Sequence, residues 1–95
     1  WHDATVDEDV IICNVGDMLQ RLTNNYLVST THRVSASLLQ SKTSRYSIPF
    51  FVHPNPDWII NTLPSCYDKN TPNLYKESIM AEEYLQQRLR EINLI

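Results

Sequence analysis

Apolar positions fall in short β-branched or aromatic runs through the first half of the chain and return at helical spacing only at its end. Val10-Ile11-Ile12-Cys13-Asn14-Val15, closed by Gly16-Asp17, reads as a buried strand entering a turn. Met18-Leu19-Gln20-Arg21-Leu22 predicts one helical turn before Thr23-Asn24-Asn25. Asn accepts positive φ better than other non-Gly residues, so Asn24-Asn25 can make a tight turn that glycine would usually supply. Strand patterns resume over 26–29 and 30–34. After a polar stretch, Ser35 to Ser44, comes Arg45-Tyr46-Ser47-Ile48-Pro49-Phe50-Phe51-Val52, the most β-like segment in the chain. Pro49 cannot donate to a ladder and belongs at a sheet edge or a bulge. Phe50 is expected in the core.

Beyond His53 the texture changes. Pro54, Pro56, Pro64 and Pro72 among Asn and Asp residues predict an irregular surface connection. Ser78 is the expected N-cap of a last helix, in which Ala81, Tyr84, Leu85, Leu89 and Ile92 make an apolar face. The coarse order is strands, loop and one amphipathic helix. Such an arrangement leaves sheet edges open, and open edges invite pairing with further strands. Ordering a chain costs about 1.5 kcal/mol per residue, which a core this small barely offsets. The expectation is therefore half of a β-structure, with the other strands supplied by an N-terminal part. Trp1 as the first residue fits a sequence that starts inside a longer product.

Composition narrows the function. The 95 residues carry eight Lys or Arg against eleven Asp or Glu, a net charge of −3 without the basic stripe of a nucleic-acid binder. No apolar run approaches the roughly 20 residues of a membrane span. Two cysteines, Cys13 and Cys66, are too few for a disulfide framework and fit a reducing, cytoplasmic setting. The single glycine, Gly16, excludes Gly-rich phosphate cradles. Met18 and Met80 read as gap-fillers.

Few residues remain for chemistry. His32 lies in a predicted strand, while His2 and His53 have no ligand partner at zinc-finger spacing. By itself His32 reads more readily as a strand histidine bonded to a neighbouring carbonyl than as a metal ligand. Arg45 and Ser47, two apart on a strand, share a face. A guanidinium fork beside a hydroxyl is a receptor for a carboxylate. Ile48, Phe50 and Phe51 are not what a fully solvated strand carries, and a desolvated Arg needs an anionic partner. Phe51 shares the parity of Arg45 and Ser47 and is a candidate for the wall of the same pocket.

Four motifs carry a resemblance to a known family. Gly16-Asp17-Met18-Leu19-Gln20, Leu22-Thr23-Asn24-Asn25-Tyr26, Thr31-His32-Arg33-Val34 and Arg45-Tyr46-Ser47-Ile48-Pro49-Phe50-Phe51 occur in the order seen in the non-haem iron, 2-oxoglutarate-dependent dioxygenases. The branch is that of isopenicillin N synthase and the plant-type oxygenases, and Glu83-Tyr84-Leu85 is similar to it as well. The resemblance implies a mainly β fold, part of a double-stranded β-helix (jelly roll), with a C-terminal amphipathic helix. Residues 1–95 would be its C-terminal portion. It further implies that His32 is the distal histidine of a two-His, one-carboxylate iron site, and that Arg45 and Ser47 grip the far carboxylate of 2-oxoglutarate. The implied cofactors are Fe(II) and 2-oxoglutarate, with ascorbate as an addition. The implied reaction oxidises a small organic molecule, by hydroxylation or desaturation, with O2 consumed and succinate and CO2 released. Arg33 is expected to point away from the metal.

The family's His-x-Asp pair has no counterpart here, because His2-Asp3 has the wrong spacing. The first strands and two iron ligands are thus expected in a missing N-terminal half, and this chain alone is expected to be inactive. The connection from His32 to Arg45 is longer than usual for the branch, a length that costs little in loop entropy. Two alternatives stay open: an isopenicillin N synthase-like iron oxidase whose Arg and Ser grip a substrate carboxylate instead, and a non-catalytic β-rich interaction fragment.

Overall fold

A computed structural model of the chain describes residues 1–36 and 42–95; residues 37–41, within the polar stretch between His32 and Arg45, lie outside the described residues. Helix α1 runs over Asp17–Leu22, where the run of Met18 to Leu22 predicts it. Asp17 in its first turn and Arg21 in its last complement the helix dipole. It ends because Asn24 (φ 52°) and Asn25 (φ 63°) turn left-handed, the conformation that short amide side chains tolerate. The Thr23 hydroxyl donates to the Leu19 carbonyl at 2.8 Å and closes the last turn.

Strand β1, Ile59–Ile60, pairs antiparallel with strand β2, Ile79–Met80, in the register Ile59–Met80 and Ile60–Ile79. A 3-10 turn over Pro64–Cys66 lies between them, and helix α2, Ala81–Glu91, follows β2 directly. Helix α1 packs on β1, and α2 packs on β2. The core sits where the hairpin meets α2: Ile60 and Ala81, 3% and 2% exposed, are the buried apolar residues among those described.

Two expectations for this region need correction. The Pro-rich stretch after His53 is not merely a surface connection, because it contains β1 and half of the core. Ser78 does not cap α2. The preceding residue is Met80, and the first helical amides are taken by tertiary carbonyls instead: Ala81 N–H donates to Trp58 O at 2.8 Å and Glu82 N–H to Pro56 O at 3.0 Å. A backbone carbonyl satisfies an orphan helix donor as a serine hydroxyl would. The apolar face of α2 is as expected for Ala81, Tyr84, Leu85 and Leu89, which are buried or half-buried, whereas Ile92 is exposed.

The mainly β expectation meets a different structure in the first half. The runs 10–15, 26–29, 30–34 and 45–52 form no ladder among the described residues. Apart from half-buried Val15 and Ser29, their residues are exposed; Ile48 is 95% exposed, and Phe50, expected in the core, is 89% exposed. A strand is held by its neighbour's amides and carbonyls, and no segment among the described residues pairs with these runs. The radius of gyration, 16.9 Å, accordingly exceeds the roughly 12 Å of a closed domain of this length.

Candidate functional site

Residues leaving α1 carry the candidate metal ligand, and polar side chains of α1 and of its C-cap, Thr23, fix how they leave. Leu27 N–H donates to the Thr23 hydroxyl at 3.1 Å, and Ser29 N–H donates to Gln20 Oε1 at 2.6 Å. His32 follows three residues later. Its ring is exposed, with Nδ1 3.0 Å from the Thr30 carbonyl. A carbonyl only accepts, so this bond requires the proton on Nδ1 and leaves the lone pair on Nε2. Arg33 turns to Trp1, its guanidinium carbon 4.1 Å from the ring centroid.

Arg45 and Ser47 are exposed, and neither side chain has a partner among the described residues. Phe51 is exposed as well, with its ring centroid 6.1 Å from that of His53. The structure does not gather these residues around a cavity. Two shallow clefts of about 390 and 530 Å³ lie beside the packed half. One is bordered by Tyr26 and the 65–71 turn, the other by Leu22, Trp58 and Tyr75, and none of His32, Arg45, Ser47 or Phe51 lines either.

The packed half is tied by polar groups that the sequence pattern does not single out. Asn24, 6% exposed, donates from Nδ2 to the carbonyls of Cys66 and Pro72, both at 3.1 Å, and accepts from Leu74 N–H at 2.8 Å. Asn25 Oδ1 accepts from the Tyr75 hydroxyl at 2.5 Å. Arg21 lies between the rings of Tyr75 and Tyr84, 4.9 and 5.3 Å from their centroids, and donates to Glu77 O at 2.7 Å. Its Nε is buried and has no hydrogen-bond partner among the described residues; the two aromatic faces supply the attraction instead. Arg88 bridges from α2 to Asp17 at 2.8 Å and also meets Glu91. Partial burial opposes the charge on Arg88, but Asp17 and Glu91 outweigh it and hold its pKa above the ordinary value. Burial, aided by the Asp17 carboxylate, pushes the Tyr84 phenol up.

Comparison with known proteins gives this arrangement a family. The model of the 2OG-Fe(II) oxygenase superfamily matches residues 1–54, and the chain belongs to that superfamily. Among relatives, azadirone synthase of Melia azedarach is 33% identical over 98% of this chain. A proline hydroxylase of Petromyces alliaceus is 42% identical over 83% of it. Each match covers 26% of the relative, so the chain spans about a quarter of their length. A solved structure from Caulobacter crescentus, assigned to the 2OG-Fe(II) oxygenase family, superposes with a TM-score of 0.76 at 54% identity. That match covers 83% of this chain and 26% of the other.

The family's iron asks for several donors on one centre. His32 suits one of them: its Nδ1 is engaged by a carbonyl, the usual outer partner of a metal-bound imidazole, and Nε2 is left for the metal. Among the described residues no three His, Cys, Asp or Glu side chains come together to complete a site. No helix among them is long and apolar enough to cross a membrane.

Proposed function

We propose that this chain is the distal part of the catalytic jelly roll of an Fe(II)- and 2-oxoglutarate-dependent oxygenase acting on a small organic molecule in the cytoplasm. The observation that carries the reading is the family match over residues 1–54, the stretch that holds His32, Arg45, Ser47 and Phe51. In it, His32 Nε2 is one of three protein ligands, and the other two belong to a His-x-Asp pair upstream of Trp1. Arg45 and Ser47 hold the carboxylate of 2-oxoglutarate remote from the metal through a charge-assisted fork and a hydroxyl donor. Phe51 lies on the pocket wall and helps exclude water.

The exposed β runs support the same reading. Tyr46, Ile48, Phe50 and Val52 are large apolar or aromatic side chains in solvent, which a partnered sheet in the whole protein would cover. Bound Fe(II) would activate O2, the oxidant for the C–H bond, with 2-oxoglutarate supplying two electrons and leaving as succinate and CO2. This chain's residues bind, orient and desolvate. The 95 residues alone hold iron weakly, because a single imidazole does not make a facial site.

The test is succinate release by the full-length protein supplied with Fe(II), 2-oxoglutarate and O2. Succinate should form in the wild type and vanish in His32→Ala. Failure of the wild type to turn over 2-oxoglutarate at all removes the oxo-acid assignment.

A further inference from the structure

We propose that Gln20 is a positioning residue for the imidazole of His32, acting through the backbone of Ser29 and Thr30. The inference rests on the reading of His32 as a metal ligand. It goes further in assigning a role to a side chain on a different element, twelve residues earlier in the chain.

The path is continuous. Gln20 sits in α1, the helix that is itself held to the packed half by Leu63 N–H donating to Leu22 O at 2.9 Å and by the Asp17–Arg88 bridge. Gln20 Oε1 receives Ser29 N–H at 2.6 Å. Only the backbone torsions of Ser29 and Thr30 lie between this anchored amide and the Thr30 carbonyl, so the tether limits where that carbonyl can lie. The Thr30 carbonyl in turn takes the Nδ1 proton of His32 at 3.0 Å, which sets both the tautomer and the ring direction. Thr23 adds a second tether two residues before Ser29, through Leu27 N–H.

His32 lies on an exposed segment that has no strand partner among the described residues, so these tethers are what restrains it. A metal ligand has to be held within about 0.5 Å of its productive position, and that requires supporting groups fixed by their own packing. α1 is the rigid element that meets this requirement here. The chemistry required at position 20 is narrow: an oxygen acceptor on a three-carbon reach. Glutamate keeps it, and methionine keeps the length and the packing while replacing the oxygen with a thioether, a much weaker acceptor.

The experiment measures Fe(II) dissociation constants by anaerobic equilibrium dialysis on the full-length protein, alongside thermal melting, for wild type, Gln20→Met, Gln20→Glu and His32→Ala. Loss of an outer-sphere group that orients a ligating histidine typically weakens metal binding tenfold or more. Gln20→Met is expected to bind Fe(II) about tenfold more weakly while melting with the wild type, and Gln20→Glu should restore the affinity. Unchanged affinity in Gln20→Met overturns the inference, and so does weak binding in both Gln20 variants, which would mean packing alone. His32→Ala separates the two levels. If it retains tight Fe(II) binding, the assignment of His32 as a ligand fails. If it loses binding while Gln20→Met does not, only the positioning role fails. Should Gln20→Met not fold, Gln20→Ala removes the same acceptor with the best helix former, and the same comparisons apply.

Discussion

Asn24 gives the sharpest quantitative test of how the packed half is held. Its side-chain amide makes three hydrogen bonds to main-chain groups 42 to 50 residues away, two as donor to Cys66 O and Pro72 O and one as acceptor from Leu74 N–H. It does so from a buried, left-handed position with φ 52°. Asn24→Gly keeps the backbone conformation and loses the three bonds. At roughly 1 kcal/mol net for each, the expected loss is about 3 kcal/mol. Asn24→Ala loses the same bonds and adds about 1 kcal/mol for a β-carbon in the left-handed region. Asn24→Asp keeps an acceptor for Leu74 but sets a carboxylate against two carbonyls, so it should be no better than glycine. The assay is hydrogen exchange of the Leu74 amide in the full-length protein, read by mass spectrometry. A loss of about 3 kcal/mol corresponds to exchange faster by roughly two orders of magnitude. If Asn24→Gly leaves Leu74 protection within a factor of two, the bonds are not what holds α1 to the 66–74 turn.

Two further outcomes follow from other residues. Arg45→Ala removes a charged hydrogen-bonding group worth about 1.5–3 kcal/mol, so the KM for 2-oxoglutarate should rise about ten- to a hundredfold while kcat at saturation changes less; an unchanged KM contradicts the carboxylate grip. For Tyr84, burial raises the folded-state pKa above the ordinary 10.0, so its contribution to stability is complete below pH 10 and is lost as pH rises beyond it. Melting temperatures of the full-length protein from pH 9 to 11.5 should therefore fall less steeply in Tyr84→Phe than in the wild type. The Asp17–Arg88 bridge itself should contribute only about 0–1 kcal/mol to stability, since both side chains are about 40% exposed (38% and 41%).

Local signals were legible where local forces decide. The run from Met18 to Leu22 and the Asn24-Asn25 stop place α1, because helix bonds span four residues and positive φ is a property of one residue. The face of α2 was legible for the same reason, from Ala81 to Leu89. His32, Arg45 and Ser47 could be singled out because their residue types and order match a family motif, and residue type is what a motif records. Ser78 carries a local cap signal that loses to Trp58 O and Pro56 O, which lie more than twenty residues before the Ala81 and Glu82 amides they accept from.

Sequence by itself determined the family, the two helices, the turn between α1 and the His32 segment, and which segments have the composition of strands. Tertiary structure alone decided that Ile60 is in the core, that carbonyls cap α2, that Asn24 joins α1 to the 66–74 turn and that Gln20 takes hold of Ser29. The division is physical. Propensity and periodicity act over a few residues, whereas a ladder, a core or a side-chain clamp needs a partner that only folding brings near. The β runs of the first half show the consequence: they carry the side chains of strands and remain exposed, because composition can prepare an edge but cannot supply the neighbour that completes it.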